Sequence, residues 1–222
     1  MNKLSKILVV GASGGSGRNT VKALVSQGYE VTALSRKASE VFSEPVRTID
    51  GSALDERTLK FAIEDQDAVI VTLGISENHI RTRLLGPKNT PMNIRSEGTH
   101  KVIKMMHALG VKRLIVQTTY GSGPSSNMLR TIDKLFFDLI LRPQIDDTDI
   151  QDKLVRDSQL DWTIIQPVHL SDEENATTTI YASSAYDVAD WSITREQVGE
   201  YNAQIISDPS TVGQTMSLST AA

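Results

Sequence analysis

The chain alternates short aliphatic and β-branched runs with longer stretches whose apolar positions recur every three or four residues. Lys6–Val10 (KILVV) reads as a strand buried on both faces. Ser16–Gln27 follows with Val21, Leu24 and Val25 at helical spacing and stops at Gly28. Glu30–Leu34, Val46–Ile49 and Asp67–Leu73 continue the strand series, with a helix over Asp55–Glu64 between the last two. A helix over 91–109 turns Ile94, Val102, Ile103, Met106 and Leu109 inward. Lys112–Thr118 and Asp161–Gln166 predict a fifth and a sixth strand, Arg195–Ile206 a helix, and Gln214–Ser219 a last strand. Strand-helix alternation of this kind predicts the α/β class, with parallel strands joined by right-handed crossovers into one doubly wound sheet. Ligands of such sheets sit at the carboxyl ends of the strands, near the switch in strand order. Function is therefore expected in the loops after Val10, Leu34, Ile49, Leu73, Thr118 and Gln166.

About forty residues separate the fifth and sixth strands, too many for one crossover helix. Within them Met128–Arg142 carries apolar Leu129, Ile132, Leu135, Phe136, Leu139 and Ile140 opposite charged Arg130, Asp133, Lys134 and Asp138. That pattern predicts an amphipathic helix, either covering the core or serving as a lid or dimer helix. A chain of 222 residues buries about 70% of its surface on folding, which supports a single domain over 1–222. Its 39% hydrophobic and 23% charged residues are those of a soluble globular protein, and no apolar run is long enough to span a membrane. The net charge of −4 argues against a nucleic-acid partner, which needs a basic face. There is no cysteine, so disulfides, thiolate metal sites and thiol catalysis are excluded. The apolar run near the N-terminus is only four residues, too short for a leader. A cytoplasmic monomer or homodimer is expected, with no membrane partner.

Gly11-Ala12-Ser13-Gly14-Gly15-Ser16-Gly17 sits directly between the first strand and the first helix. Missing side chains let the backbone turn tightly and approach a diphosphate, and free N–H groups at the helix start donate to it. A dinucleotide is the expected ligand. The second strand ends Leu34-Ser35-Arg36-Lys37, a hydroxyl and two cations where an NAD site would place a carboxylate. Arg36 can fork against a 2′-phosphate, with Ser35 and Lys37 beside it; the other reading is two solvated loop cations. NADP(H) is expected, with NAD(H) still open. After the fourth strand, Leu73-Gly74 offers backbone to the cofactor ribose and diphosphate, or is a plain turn.

These stretches carry a resemblance. GASGGSGR is similar to the glycine motif of the atypical short-chain dehydrogenase/reductases, the branch holding the NmrA-like proteins and biliverdin reductase B (flavin reductase). Gly28-Tyr29-Glu30-Val31-Thr32, Asp67-Ala68-Val69-Ile70-Val71 with Leu73-Gly74, Ser96-Glu97-Gly98, and Pro167-Val168-His169-Leu170 before Asp172 resemble the same branch. The likeness runs from about Lys6 to Ser219 and implies an NAD(P)-binding Rossmann fold. It also implies site residues. Where the family shows Gly-Asp toward adenine, this chain has Asp50-Gly51-Ser52, so Ser52 stands in for the acid and Asp50 is the alternative. Thr118-Thr119-Tyr120 occupy the family's Thr-Ser-Ala position, with Thr119 matching the serine. Tyr120 either stacks on an acceptor or fills the loop. Lys153, five residues before Ser158, matches a lysine that could bond the cofactor ribose, or is a solvated helix lysine. Thr118 and Pro167 flank the cofactor's reacting end, and His169 is a donor to a substrate carbonyl or carboxylate, or structural.

The five tyrosines are followed four places on by Ala33, Pro124, Ala185, Asp190 and Ile205, so no Tyr-x-x-x-Lys pair exists. Alcohol oxidation by that acid–base pair, and with it a sugar-nucleotide epimerase, is disfavoured. Two functions stand. One is an NADPH-dependent oxidoreductase moving hydride to a small planar or conjugated acceptor (flavin, quinone or tetrapyrrole-like). The other is a non-catalytic NADP(H)-binding redox sensor of the NmrA-like type. Segments 74–90 and 167–192 are expected to rim the acceptor pocket, where Arg81 and Arg83 either attract an acidic acceptor or are simply solvated. His79, His100 and His107 form no metal pattern, so no metal is expected.

Overall fold

A strand made of large apolar residues is stable only where both faces are covered, and β1 (Lys6–Val10) meets that need by alternation. Ile7 and Val9 point into one core, Leu8 and Val10 into another, all fully buried. The structure, a computed structural model that describes residues 4–75, 88, 90–130, 134, 142–173 and 178–221, builds a sheet around this strand. β2 (Glu30–Ser35) and β4 (Ala68–Val71) flank it in parallel. β3 (Arg47–Asp50) extends the β2 side; β5 (Arg113–Gln117) and β6 (Asp161–Pro167) extend the other. β10 (Gln214–Thr220) runs parallel to β6, and β8 (Ile180–Ser183) closes the edge antiparallel to β10. Among the described residues the order is β3-β2-β1-β4-β5-β6-β10-β8. β7 (His169–Ser171) and β9 (Ser192–Thr194) pair apart from it.

Helices α1 (Gly15–Ser26) and α5 (Arg195–Ile205) cover the Ile7 face; α2 (Glu56–Ile63), α3 (Ile94–Leu109) and α4 (Arg142–Arg156) cover the Leu8 face. The strand order reverses between β1 and β4, so a crevice opens there at the carboxyl ends. Helix ends are set locally. Asp55 caps α2, its carboxylate accepting from Arg57 N at 3.2 Å and Thr58 N at 3.3 Å. Gly110, at φ +74°, ends α3 in the left-handed conformation. Arg113 reaches from β5 to the end of α5, donating to the carbonyls of Ile205 at 2.8 Å and Ile206 at 3.0 Å. Burial draws that guanidinium down to about 10, with Asp161 and Asp208 opposing.

The strands and helices read from the sequence recur with ends shifted by a few residues, and three features differ. β7, β8 and β9 lie where no element was expected, each only three or four residues long. Helix α4 fills much of the long connection before β6 and was not expected. Most of the Met128–Arg142 helix lies outside the described residues; Gly123–Met128, just before it, is a 3₁₀ helix. Among the described residues no helix is long and apolar enough to cross a membrane.

Candidate functional site

The glycine loop is shaped by contacts that leave no room for side chains. Gly11 sits at φ +86°, and a Cβ there would fall 2.9 Å from the Thr72 carbonyl oxygen at the end of β4. Its N–H, with that of Ala12, donates to Leu34 O at 2.9 and 3.2 Å, tying the loop to the end of β2. A Cβ on Gly17 would lie 2.5 Å from Gly11 O, so this glycine seats α1 against the loop and is not itself in the cleft lining. Ser13, Gly14, Gly15 and Ser16 form the open rim. Ser16 is positioned from behind, its Oγ accepting from Gln117 Nε2 at 3.0 Å.

From this rim a cleft of about 880 Å³ runs along the carboxyl ends of the strands. Toward β2 and β3 it is bounded by Ser35, Arg36, Gly51 and Ser52. Ser35 Oγ is buried with no partner among the described residues. Arg36 Nη2 donates to Thr90 Oγ1 at 3.2 Å. Ser52 Oγ accepts from Leu54 N at 3.1 Å and so shapes its own turn. Leu73 and Gly74 line the middle. At the other end are Thr118, Thr119, Tyr120, Pro167 and His169. A dinucleotide fits this outline: an open glycine rim at a helix start, an unpartnered hydroxyl beside Arg36, and hydroxyl and imidazole groups at the far end.

Besides Gly17, three expected site residues are corrected. Lys153 points away from the cleft, its side chain 77% exposed and paired with Asp157 at 2.5 Å. Lys37 is likewise outside the lining and pairs with Glu40 at 2.9 Å. Asp50 is held by Ser39, whose N–H and Oγ donate to it at 2.9 and 2.5 Å; these bonds pull its carboxyl below the ordinary range.

At the far end Tyr120 and Trp191 meet edge to face, ring centroids 5.8 Å apart. Arg130 stacks on the Trp191 face at 4.1 Å. The Tyr120 hydroxyl donates to the Tyr186 carbonyl at 2.7 Å. Burial, with the charge of Asp187, pushes this phenol above its ordinary value, so it is a poor proton donor. Among the described residues Thr119 Oγ1 bonds only its neighbour's carbonyl, Tyr120 O, at 3.3 Å. Of the expected rim, 76–87, 89 and 174–177 lie outside the described residues, and Arg81 and Arg83 with them.

Sequence reading missed several lining residues, Arg95, Arg195, Gln144 and Thr148 among them. Arg195 opens α5 behind a capping box made by Thr194 and Gln197. Its chain lies over Gly15, Cδ 2.6 Å from where a Cβ would stand, and Nη1 pairs with Asp172 at 2.7 Å. Behind the cleft Asp152 accepts from Ser122 Oγ at 3.2 Å and Gln166 Nε2 at 3.0 Å, beneath the loop carrying Thr119. Burial pushes Asp152 up to about 6, against the charge of Arg156.

A family model described as NAD(P)H-binding matches residues 11–209. The chain is 30% identical over 120 residues to a 3-diazoavenalumate denitrifying reductase of a Streptomyces species, a stretch covering 51% of this chain and 37% of that protein. Among solved structures it resembles ChuY, an anaerobillin reductase from Escherichia coli O157:H7, at TM-score 0.77 and 22% identity, covering 96% of each chain. It also resembles a short-chain dehydrogenase/reductase from Veillonella parvula in complex with NADP, at TM-score 0.78 and 17% identity, covering 97% of this chain and 94% of that one. These likenesses show the Rossmann fold.

Proposed function

The chain belongs to the NAD(P)H-binding family, and on that footing we propose that it is an NADPH-dependent reductase of a small, planar, conjugated acceptor. The observation that carries this reading is the Tyr120–Trp191 aromatic corner, which stands in the same cleft as the glycine loop. A flat acceptor can lie against such a corner, within reach of a nicotinamide placed at the ends of β5 and β6. The names of the Streptomyces relative and of ChuY, both reductases, support the class.

A reduced nicotinamide, when bound, supplies the hydride. The protein's part is orientation. The open N–H groups of Ser13, Gly15 and Ser16 hold the diphosphate, that of Gly14 being bonded to Gly11 O, and Ser35 with Arg36 selects the 2′-phosphate. Thr119 and His169 bond polar atoms of the acceptor. His169, exposed at the cleft lip, or solvent beside it, delivers the proton that balances the hydride. The Tyr120 hydroxyl is already committed to Tyr186, so its ring rather than its acidity is used.

The test is NADPH oxidation, followed by loss of nicotinamide absorbance, against flavins, quinones, tetrapyrroles and aldehydes. Turnover of a planar acceptor with little turnover of simple aldehydes is expected. Tight NADPH binding with no turnover of any acceptor would instead favour a redox sensor, and absence of NADPH binding would overturn both.

A further inference from the structure

The protein carries a net charge of −4, yet among the described residues its cleft is lined by Arg36, Arg95, Arg195 and His169 and by no aspartate or glutamate. A cleft so opposed in sign to its protein concentrates anions. The three arginines are not equivalent. Arg36 leans on a hydroxyl and Arg195 is paired with Asp172. Arg95 makes no ion pair among the described residues, and its Nη1 is buried without a hydrogen-bond partner.

The surroundings of Arg95 explain how this is held. It stands in the first turn of α3, and its Nη2 comes 3.6 Å from where a Cβ of Gly74 would be, directly beyond β4. The nearby acid, Asp147 of α4, acts on the guanidinium through its charge but makes its hydrogen bonds elsewhere. Asp147 accepts from Arg95 N at 3.1 Å, from Ser96 N at 3.3 Å and from Ser96 Oγ. Those bonds cap α3 and fix the arginine's backbone while leaving its guanidinium facing the cleft. A buried guanidinium with an idle donor is costly unless something pairs with it.

We propose that Arg95 is an oxyanion anchor, completed when a phosphate or carboxylate of a bound ligand enters the cleft beside Gly74. Because Gly74 lies two residues beyond Thr72, which touches the first glycine of the loop, the dinucleotide diphosphate is one source of that oxyanion. An anionic group on the acceptor is the other. The proposal rests on the cleft being a ligand site, as in the function proposed above.

The experiment compares the native protein with Arg95→Met and Arg95→Lys. Calorimetry reads the affinity for NADPH and for NADH; fluorescence reads FMN and riboflavin binding to NADP⁺-saturated protein. FMN and riboflavin share one ring system and differ by a phosphate. If the diphosphate is the source, Arg95→Met weakens NADPH and NADH alike by at least tenfold, and lysine restores part of the loss. If the acceptor is the source, the dinucleotides are unchanged and Arg95→Met weakens FMN at least tenfold but not riboflavin. In either case the Tm of the ligand-free variant stays level or rises, because an unpaired buried charge has been removed. Unchanged dinucleotide affinity with no discrimination between FMN and riboflavin overturns the anchor. So does a lowered ligand-free Tm with all four probes weakened alike, which marks a packing role. Failure of the native protein to bind dinucleotide sinks the proposed function, and the flavin pair, then read on ligand-free protein, still decides Arg95.

Discussion

Gly14 and Gly17 lie three residues apart in one loop, and the structure gives them opposite jobs. A Cβ on Gly17 would sit 2.5 Å from Gly11 O, 0.9 Å short of the 3.4 Å where ordinary contact begins, and 2.8 Å from Ala12 O. Both obstacles are backbone, and that backbone is tied to Leu34 O by two hydrogen bonds. Gly17→Ala must therefore push α1 off the loop or loosen those bonds. Overpacking of this kind costs about 1–3 kcal/mol. At roughly 2–4 °C per kcal/mol for a domain of this size, a mid-range loss lowers Tm by roughly 4–8 °C. Gly14 stands at φ −69°, ψ 161°, open to any residue, and among the described residues its Cβ would meet only Gly11 O, at 3.4 Å. Gly14→Val gives up about 0.5–1 kcal/mol as a poorer helix cap, so its Tm falls by roughly 2 °C. Its branched side chain, however, stands on the open rim where phosphate must meet backbone. NADPH affinity should fall at least tenfold, about 1.4 kcal/mol. Thermal unfolding and calorimetry on both variants check the pair. Native NADPH affinity in Gly14→Val, or a native Tm in Gly17→Ala, would refute the division of labour.

NADPH should bind more tightly than NADH, and Arg36→Ala should shrink the gap by about 1.5–3 kcal/mol, the range for hydrogen bonds to a charged group. Equal native affinities, measured by calorimetry, would remove the role given to Arg36. Thr119→Ala and His169→Ala should each slow turnover about tenfold, near 1.4 kcal/mol of barrier, and Tyr120→Phe less. A loss above about a thousandfold in Tyr120→Phe would make the phenol the acid after all. Asp152, held up at about 6 from 3.8, contributes stability that is full below pH about 4 and is lost as pH rises through 6. Asp152→Asn cannot titrate there, so the native-minus-variant stability should shrink between about pH 4 and pH 7 in urea titrations, on the order of 3 kcal/mol. A difference flat with pH would mean the carboxyl ionises normally.

The central strands were legible because both their faces are dry. Ile7–Val10 (ILVV) and Ala68–Val71 (AVIV) are apolar at every position, and only a sheet covered on both sides asks for that. The glycine loop was legible for a related reason: backbone contacts as close as Gly11 to Thr72 and Gly17 to Gly11 leave no choice of residue. β7, β8 and β9 were not, since three- and four-residue segments such as HLS and SIT are too short to display a period. Tyr120 also had two open readings. Only the tertiary contact with Tyr186 decides that its hydroxyl is occupied while its ring remains.

Helix α4 shows most clearly how the site escaped the pattern, and why Lys153 was misread. Its buried residues are Gln144, Asp147, Thr148, Gln151, Asp152 and Val155, at helical spacing but almost all polar. A search for apolar periodicity passes over such a stripe. Its polar side chains are held by hydrogen bonds, Thr148 to Gln144 O within the helix and Asp147, Gln151 and Asp152 across the interface. Gln151 Nε2 donates to Thr99 Oγ1 at 2.8 Å, Asp147 accepts from the start of α3, and Asp152 from Ser122 and Gln166. The same spacing, read on polar residues, fixes the helix phase. At about 100° per residue, Lys153 stands nine positions beyond Gln144, two and a half turns on, and so faces the solvent. Thr148, four positions beyond Gln144, returns to the same side and joins it in the cleft lining. The face of α4 that touches the ligand site is thus dictated by its hydrogen-bonding residues, and a lysine on the opposite face has no route to the ribose.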